Sequence, residues 1–146
     1  MIILLDRSVT MQKLKALFFK HREAIAYLFF GGVTTLVNMA ALELFARLGC
    51  PTWLANAIAW VAAVLTAYFT NRRWVFHSEA RTTSEILREM ASFFSCRLAT
   101  GLLDLGCMFL FVDVLHWNDL LIKALDNVLV VVLNYVASKL LIFRKR

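Results

Sequence analysis

The chain has 146 residues, 61% of them hydrophobic, with a mean hydropathy of +0.70 and one proline. Soluble domains are about 45–50% apolar, so a water-exposed globule is excluded and lipid is the solvent that this excess demands. The length suits a single folded unit. The net charge of +6 comes from 16 Lys+Arg against 10 Asp+Glu, and the basic residues lie between apolar runs, as in membrane proteins, rather than in a nucleic-acid-binding patch.

Residues 1–5 are apolar but meet Asp6 and Arg7 at once. A secretory signal would need a basic start, a longer apolar core and a small-residue cleavage site, so targeting falls to the first membrane helix. Within residues 1–22, Lys13, Lys15, Lys20 and Arg22 alternate with Leu14, Leu17 and Phe18. This basic segment is expected to be either a solvated cytoplasmic tail or a helix lying in the membrane interface. The remainder, residues 23–146, reads as one membrane domain with four apolar runs of spanning length, at about 25–45, 53–70, 91–112 and 121–141.

Span one carries Gly31, Thr34 and Asn38 on one face. The glycines Gly31 and Gly32 are expected to permit close helix contact, with Thr34 hydrogen-bonding across the interface. Glu43 and Arg47, four residues apart, are expected to pair. Span two has no charge and stops at Asn71-Arg72-Arg73. Span three carries Arg97 and Asp104. A charge at a helix centre costs about 2.5–3.5 kcal/mol on insertion scales, and this seven-residue spacing puts both on one face, about 10.5 Å apart along the axis. Arg97 lies near the cytoplasmic end, at the level of lipid phosphates, whose oxygens match its fork. In span four, Lys123 and Asp126 are expected to form a local pair. Asn127, Asn134 and Ser138 form a polar stripe that either meets Asn38 or lines a polar cavity. The basic stop Lys139 with Arg144-Lys145-Arg146 ends the chain.

Of the 16 basic residues, 13 fall in the first 23 residues, in 71–92 and from 139 onward. The positive-inside rule therefore places both termini and the middle loop in the cytoplasm. The two halves also repeat. Glu23, Tyr27, Thr34, Leu36 and Asn38 align at an offset of 66 with Glu89, Phe93, Thr100, Leu102 and Asp104; Tyr68, Asn71, Arg72 and Phe76 align at 67 with Tyr135, Ser138, Lys139 and Phe143. Each unit is a two-span hairpin, so the units are parallel repeats with a binding site expected between them. The expected fold is an all-α integral membrane protein of four transmembrane helices.

Cys50, Cys96 and Cys107 form no CxxC and no paired framework, which argues against disulfides or zinc and casts them as buried small apolar residues. His21, His77 and His116 lack metal-like spacing, and there is no glycine-rich phosphate loop or GxSxG. Neither an enzyme nor a cofactor is expected.

Gly31-Gly32-x-Thr34-x-x-x-Asn38 in span one resembles the opening of the GtrA-like family of small four-span membrane proteins, as does Tyr68-Phe69-x-Asn71-Arg72-x-Trp74-Val75-Phe76 at the end of span two. The second half, with Arg97, Asp104, Asp113, Asp119, Lys123 and Asn134-Tyr135-x-x-Ser138-Lys139, is similar to the branch of that family linked to teichoic-acid and cell-surface polysaccharide glycosylation. The resemblance covers residues 23–143. It implies a bacterial cytoplasmic-membrane protein that moves a polyprenyl-phosphate-linked sugar from the inner to the outer leaflet, where membrane glycosyltransferases use it. Arg97, Lys139 and Arg72 are then expected to hold the phosphate, with Asp104, Asn38, Asn134, Thr34 and Asn71 forming the polar path for the sugar. The partners expected are this lipid, the glycosyltransferases, anionic membrane lipids and, from the small size alone, a second copy in a homodimer, with no nucleic acid. The competing readings are a non-transporting partner that positions a glycosyltransferase, and a four-helix exporter of small cations.

Overall fold

Four long helices form the chain: α1 (Ile2–Arg47), α2 (Thr52–Thr70), α3 (Thr83–Met108) and α4 (Asp119–Ala137). The structure is a computed structural model that describes residues 2–144, with side chains from residue 11 onward; Met1 and the Lys145 and Arg146 of the expected basic stop lie outside the described residues. Among the described residues there is no strand, as hydrocarbon requires of an open chain, because a helix satisfies its own backbone groups. Helix long and apolar enough to cross a bilayer runs over Met11–Arg47, Thr52–Val75, Thr83–Val114 and Asp119–Ile142. The protein is a multi-pass membrane protein.

The helices outrun the apolar runs. α1 continues without a break through residues 22 and 23, and its 46 residues extend about 69 Å at 1.5 Å per residue, over twice a hydrocarbon core of about 30 Å. Residues 11–22 are thus exposed turns of span one's own helix. α3 starts well before its apolar run because Thr82 and Glu85 form a capping box: the Glu85 N–H donates to Thr82 Oγ1 at 3.3 Å and the Thr82 N–H to Glu85 Oε2 at 3.1 Å.

Gly49 ends α1 at φ +82, a left-handed conformation that glycine adopts without strain. There the Cys50 N–H reaches back to the Phe45 carbonyl at 3.1 Å. α2 and α4 each close with a π-helical turn, Asn71–Val75 and Ser138–Ile142. These lie at equivalent positions of the two halves, and each ends on a phenylalanine whose N–H donates five residues back (Phe76 to Asn71 at 2.9 Å, Phe143 to Ser138 at 2.8 Å). A further π turn, Phe109–Val114, follows α3.

α1 pairs with α2 and α3 with α4, and α2 meets α3. α2 buries Ala55, Ala59, Ala63 and Ala67, one every four residues, and small side chains at that spacing let helix backbones approach. The largest core is aromatic and lies at the end of the bundle that carries both termini. Phe76 and Phe143, equivalent in the two halves, stack on each other at 5.3 Å and 13°. Around them each contact occurs twice: Tyr68–Phe93 at 5.7 Å matches Tyr135–Tyr27 at 5.2 Å, and Tyr68–Phe143 at 6.0 Å matches Tyr135–Phe76 at 5.9 Å. The two hairpins are therefore related by an approximate two-fold axis through the Phe76–Phe143 stack.

Span one corrects two expectations. Gly31 and Gly32 are exposed, and a methyl group at either would meet nothing within 4 Å; the packed face of this helix is Tyr27 and Phe30, the latter stacked on Trp74 at 5.4 Å. Thr34 does not bond across an interface. Its hydroxyl donates to the Phe30 carbonyl of its own helix at 2.8 Å, the usual refuge of a threonine lacking a neighbour's acceptor.

Candidate functional site

The same two-fold relation organises the charges at the termini-bearing end. Glu89, which opens the second hairpin, pairs with Arg72, which closes the first, at 2.5 Å. Glu23, which opens the first, pairs with Lys139, which closes the second, at 2.8 Å. Each cation thus holds the other repeat's glutamate. The tyrosine one turn before each cation joins in: Tyr68 donates to Glu89 Oε2 at 3.4 Å and Tyr135 to Glu23 Oε1 at 2.9 Å.

The two clasps differ in how much is left over. Arg72 also donates to the Ala80 carbonyl at 2.6 Å and to Ser78 Oγ at 3.3 Å, and Ser78 donates to Glu89 in turn. Its fork is filled by protein acceptors and fastens the connection between the hairpins; the paired side chains are 20% and 13% exposed. Lys139 has one carboxylate and the Tyr135 hydroxyl at 3.5 Å, and that pair is 48% and 34% exposed. Beside it Arg97 donates to Tyr27 Oη at 3.4 Å and lies 5.2 Å over the Phe93 ring. Among the described residues Arg97 makes no ion pair. The Tyr27–Tyr135 contact links Arg97 to Lys139, so these two cations converge on one aromatic surface.

From Arg97 a polar seam runs between α3 and α4. One turn on, Thr100 donates to Asn134 Oδ1 at 3.1 Å and Cys96 approaches the same oxygen at 3.6 Å; Asn134 and Thr100 are 2% and 8% exposed. A further turn on, Asp104 pairs with Lys123 at 2.5 Å. This corrects the expected Lys123–Asp126 pair. A base preceding an acid along a helix is the weaker order for a local pair, and Asp104 is presented from the facing helix. Asp126 is left buried, with no hydrogen-bond partner for either carboxylate oxygen. Glu43 and Arg47 do pair as expected, at 2.7 Å on the exposed surface. The cysteines are half-buried free thiols rather than fully buried ones.

Asn134 and Asp104 thus share the α3–α4 seam, while Arg97 on α3 faces Tyr27 of α1 and is joined to Lys139 through the Tyr27–Tyr135 contact. Arg72 and Asn71, the latter buried at the head of its π turn, belong to the other clasp. Asn38 is half-buried on α1 and hydrogen-bonds to no other described side chain, and Asn134 turns to α3 rather than toward it. The seam adds Thr100, Lys123, Tyr27, Tyr135 and Glu23 to the residues expected from sequence. Thr100, Tyr27, Tyr135 and Glu23 all carried one signal, a matched polar or aromatic position in the other repeat; Lys123 was marked by its charge and by its place in the family resemblance, but its expected partner was Asp126.

Comparison with known proteins agrees with this architecture. A family model described as the GtrA/DPMS transmembrane domain matches residues 26–143. The chain is 46% identical over 121 residues to the cell wall teichoic acid glycosylation protein GtcA of Listeria monocytogenes serovar 1/2a, covering 82% of this chain and 83% of that protein. Its counterpart in Listeria innocua serovar 6a is 44% identical over 123 residues, 84% and 85% of the two chains. The uncharacterized membrane protein YwcD of Bacillus subtilis strain 168 is 38% identical over 120 residues, 82% and 94% of the two chains.

Proposed function

The chain belongs to the GtrA/DPMS transmembrane domain family, and from that premise we propose that it carries a polyprenyl-phosphate-linked sugar from the inner to the outer leaflet of a bacterial cytoplasmic membrane. Membrane glycosyltransferases would use that sugar on a cell-wall polymer of the teichoic-acid kind, as the names of the Listeria relatives indicate for those proteins. The role assigned to this chain is accessory and non-catalytic. In this reading both termini face the cytoplasm, as the basic residues at that end favour.

The observation that carries the reading is the α3–α4 seam. The substrate has a phosphate, a sugar and an apolar tail. Arg97 has no acidic partner among the described residues and stands beside the half-open Lys139 clasp, so the two supply a charge-assisted site for phosphate oxygens. Arg72 holds the equivalent place in the other repeat, with its fork committed to the 78–89 contacts. Asn134 and Asp104 continue the seam across the bilayer with hydrogen-bonding groups for hydroxyls, while the tail stays in lipid. Asn38 and Thr34 on α1 and Asn71 after α2, expected on this path, lie in the first hairpin and make no hydrogen bond to the seam among the described residues. The exporter reading is less well supported, because the acid near the far end of span one, Glu43, is exposed and already paired.

The test is equilibration of a short polyprenyl-phosphate sugar in liposomes, followed with a membrane-impermeant reagent. Wild-type protein is expected to equilibrate the lipid. Arg97→Ala is expected to slow it about tenfold or more, since a hydrogen bond to a charged group contributes about 1.5–3 kcal/mol. Folded wild-type protein that leaves the lipid as slow as empty liposomes would replace this reading with a partner that positions a glycosyltransferase.

A further inference from the structure

Asp126 is 4% exposed on α4, about 10 Å along the helix from Asp119, and neither of its oxygens receives a hydrogen bond. The titratable groups that face it are Asp104 and Cys107 from α3 and Lys123 one turn earlier on its own helix. The Lys123 ammonium is already placed on Asp104 Oδ1 at 2.5 Å, and Cys107, a weak donor at best, makes no hydrogen bond to Asp126. Two carboxylates and one ammonium would leave this cluster with a net negative charge at membrane depth, where unbalanced charge is costly, and would leave a buried acceptor pair without a donor, which is itself unfavourable.

We propose that a single proton occupies the space between Asp126 and Asp104, making them a carboxyl–carboxylate couple. The Asp126 O–H then donates to Asp104, the orphaned group gains its hydrogen bond and the cluster becomes neutral. A metal ion fits less well, because it needs several oxygen ligands and would sit against the Lys123 ammonium. The proton comes from water and returns to it. When it leaves, Asp126 becomes an anion one turn from Lys123 and competes for that ammonium with Asp104, so the proton keeps Lys123 bridging α3 to α4. The couple shares Asp104 with the proposed sugar path but stands apart from Arg97 and Lys139, and its test does not depend on which lipid the protein carries.

Infrared spectroscopy of the full-length protein in lipid vesicles at neutral pH tests this without any transport assay. The wild type is expected to show the carbonyl stretch of a protonated carboxylic acid, shifted by deuterium exchange. The band is expected to be lost in Asp126→Asn and also in Asp104→Asn, because either amide donates to the remaining carboxylate and makes the proton unnecessary. It should remain in Asp113→Asn, a change at an exposed carboxyl. A wild type without the band, or a band that survives in either of the first two variants, overturns the proposal. So does a band abolished by sodium at fixed pH, which would make this a metal-cation site. Should Asp126→Asn fail to elute as the folded protein, Asp104→Asn carries the readout alone.

Discussion

Lys123 reaches past Asp126 on its own helix to Asp104 on the facing one, and the partner a charge takes in this bundle is decided by such cross-helix geometry. Lys123→Met is expected to destabilise the protein by about 1–3 kcal/mol by leaving Asp104 without its charged donor, seen as a lower unfolding midpoint in detergent. Adding Asp104→Asn is expected to recover most of the loss. Asn134 separates transport from packing. Interhelical hydrogen bonds in bilayers average about 0.6 kcal/mol, and without Asn134 the Thr100 hydroxyl keeps its acceptors in the Cys96 and Arg97 carbonyls. Asn134→Leu is therefore expected to fold with a midpoint near that of the wild type while sugar-lipid equilibration falls toward the empty-liposome rate. Arg97 and Asp104 were legible in the sequence because a charge inside an apolar run is conspicuous. Their partners were not, since Tyr27 and Lys123 face them only once the rotation of each helix is set.

The spans themselves were legible from hydropathy, and their ends were not. The capping box at Thr82 begins α3 among polar residues, outside the run that marks the membrane. Thr82→Ala is expected to cost about 1 kcal/mol, measurable as faster hydrogen exchange over the first turns of α3. The π turns that finish α2 and α4 also left no mark in the apolar pattern; only the repeated Asn71/Ser138 and Phe76/Phe143 positions pointed to shared geometry there. Gly31 shows where pattern misleads. Two adjacent glycines in a span read as a packing face, yet here a methyl group at either meets nothing within 4 Å among the described residues. Gly31→Ala is accordingly expected to be neutral or stabilising by up to about 1 kcal/mol, the helix-propensity gain. A clear loss of stability, visible only at high protein-to-lipid ratio, would place a second copy against that surface.

At the scale of the whole molecule, the repeat seen in the sequence predicted two similar hairpins but not that their charges are exchanged. The exchange makes a specific demand. Glu23→Lys alone is expected to loosen the contact between α1 and the end of α4, and Glu23→Lys with Lys139→Glu to restore it, as read by the unfolding midpoint. The matching swap of Arg72 and Glu89 is expected not to restore, because glutamate at position 72 cannot donate to the Ala80 carbonyl. Each hairpin on its own would present an uncompensated acid, an uncompensated base and half of an aromatic stack, all of which the other half satisfies. Two polypeptides severed in the 76–82 connection should therefore find each other when made together and rebuild a working unit. A single hairpin, made alone, should pair with its own twin, which is the arrangement from which a fused, internally duplicated chain would descend.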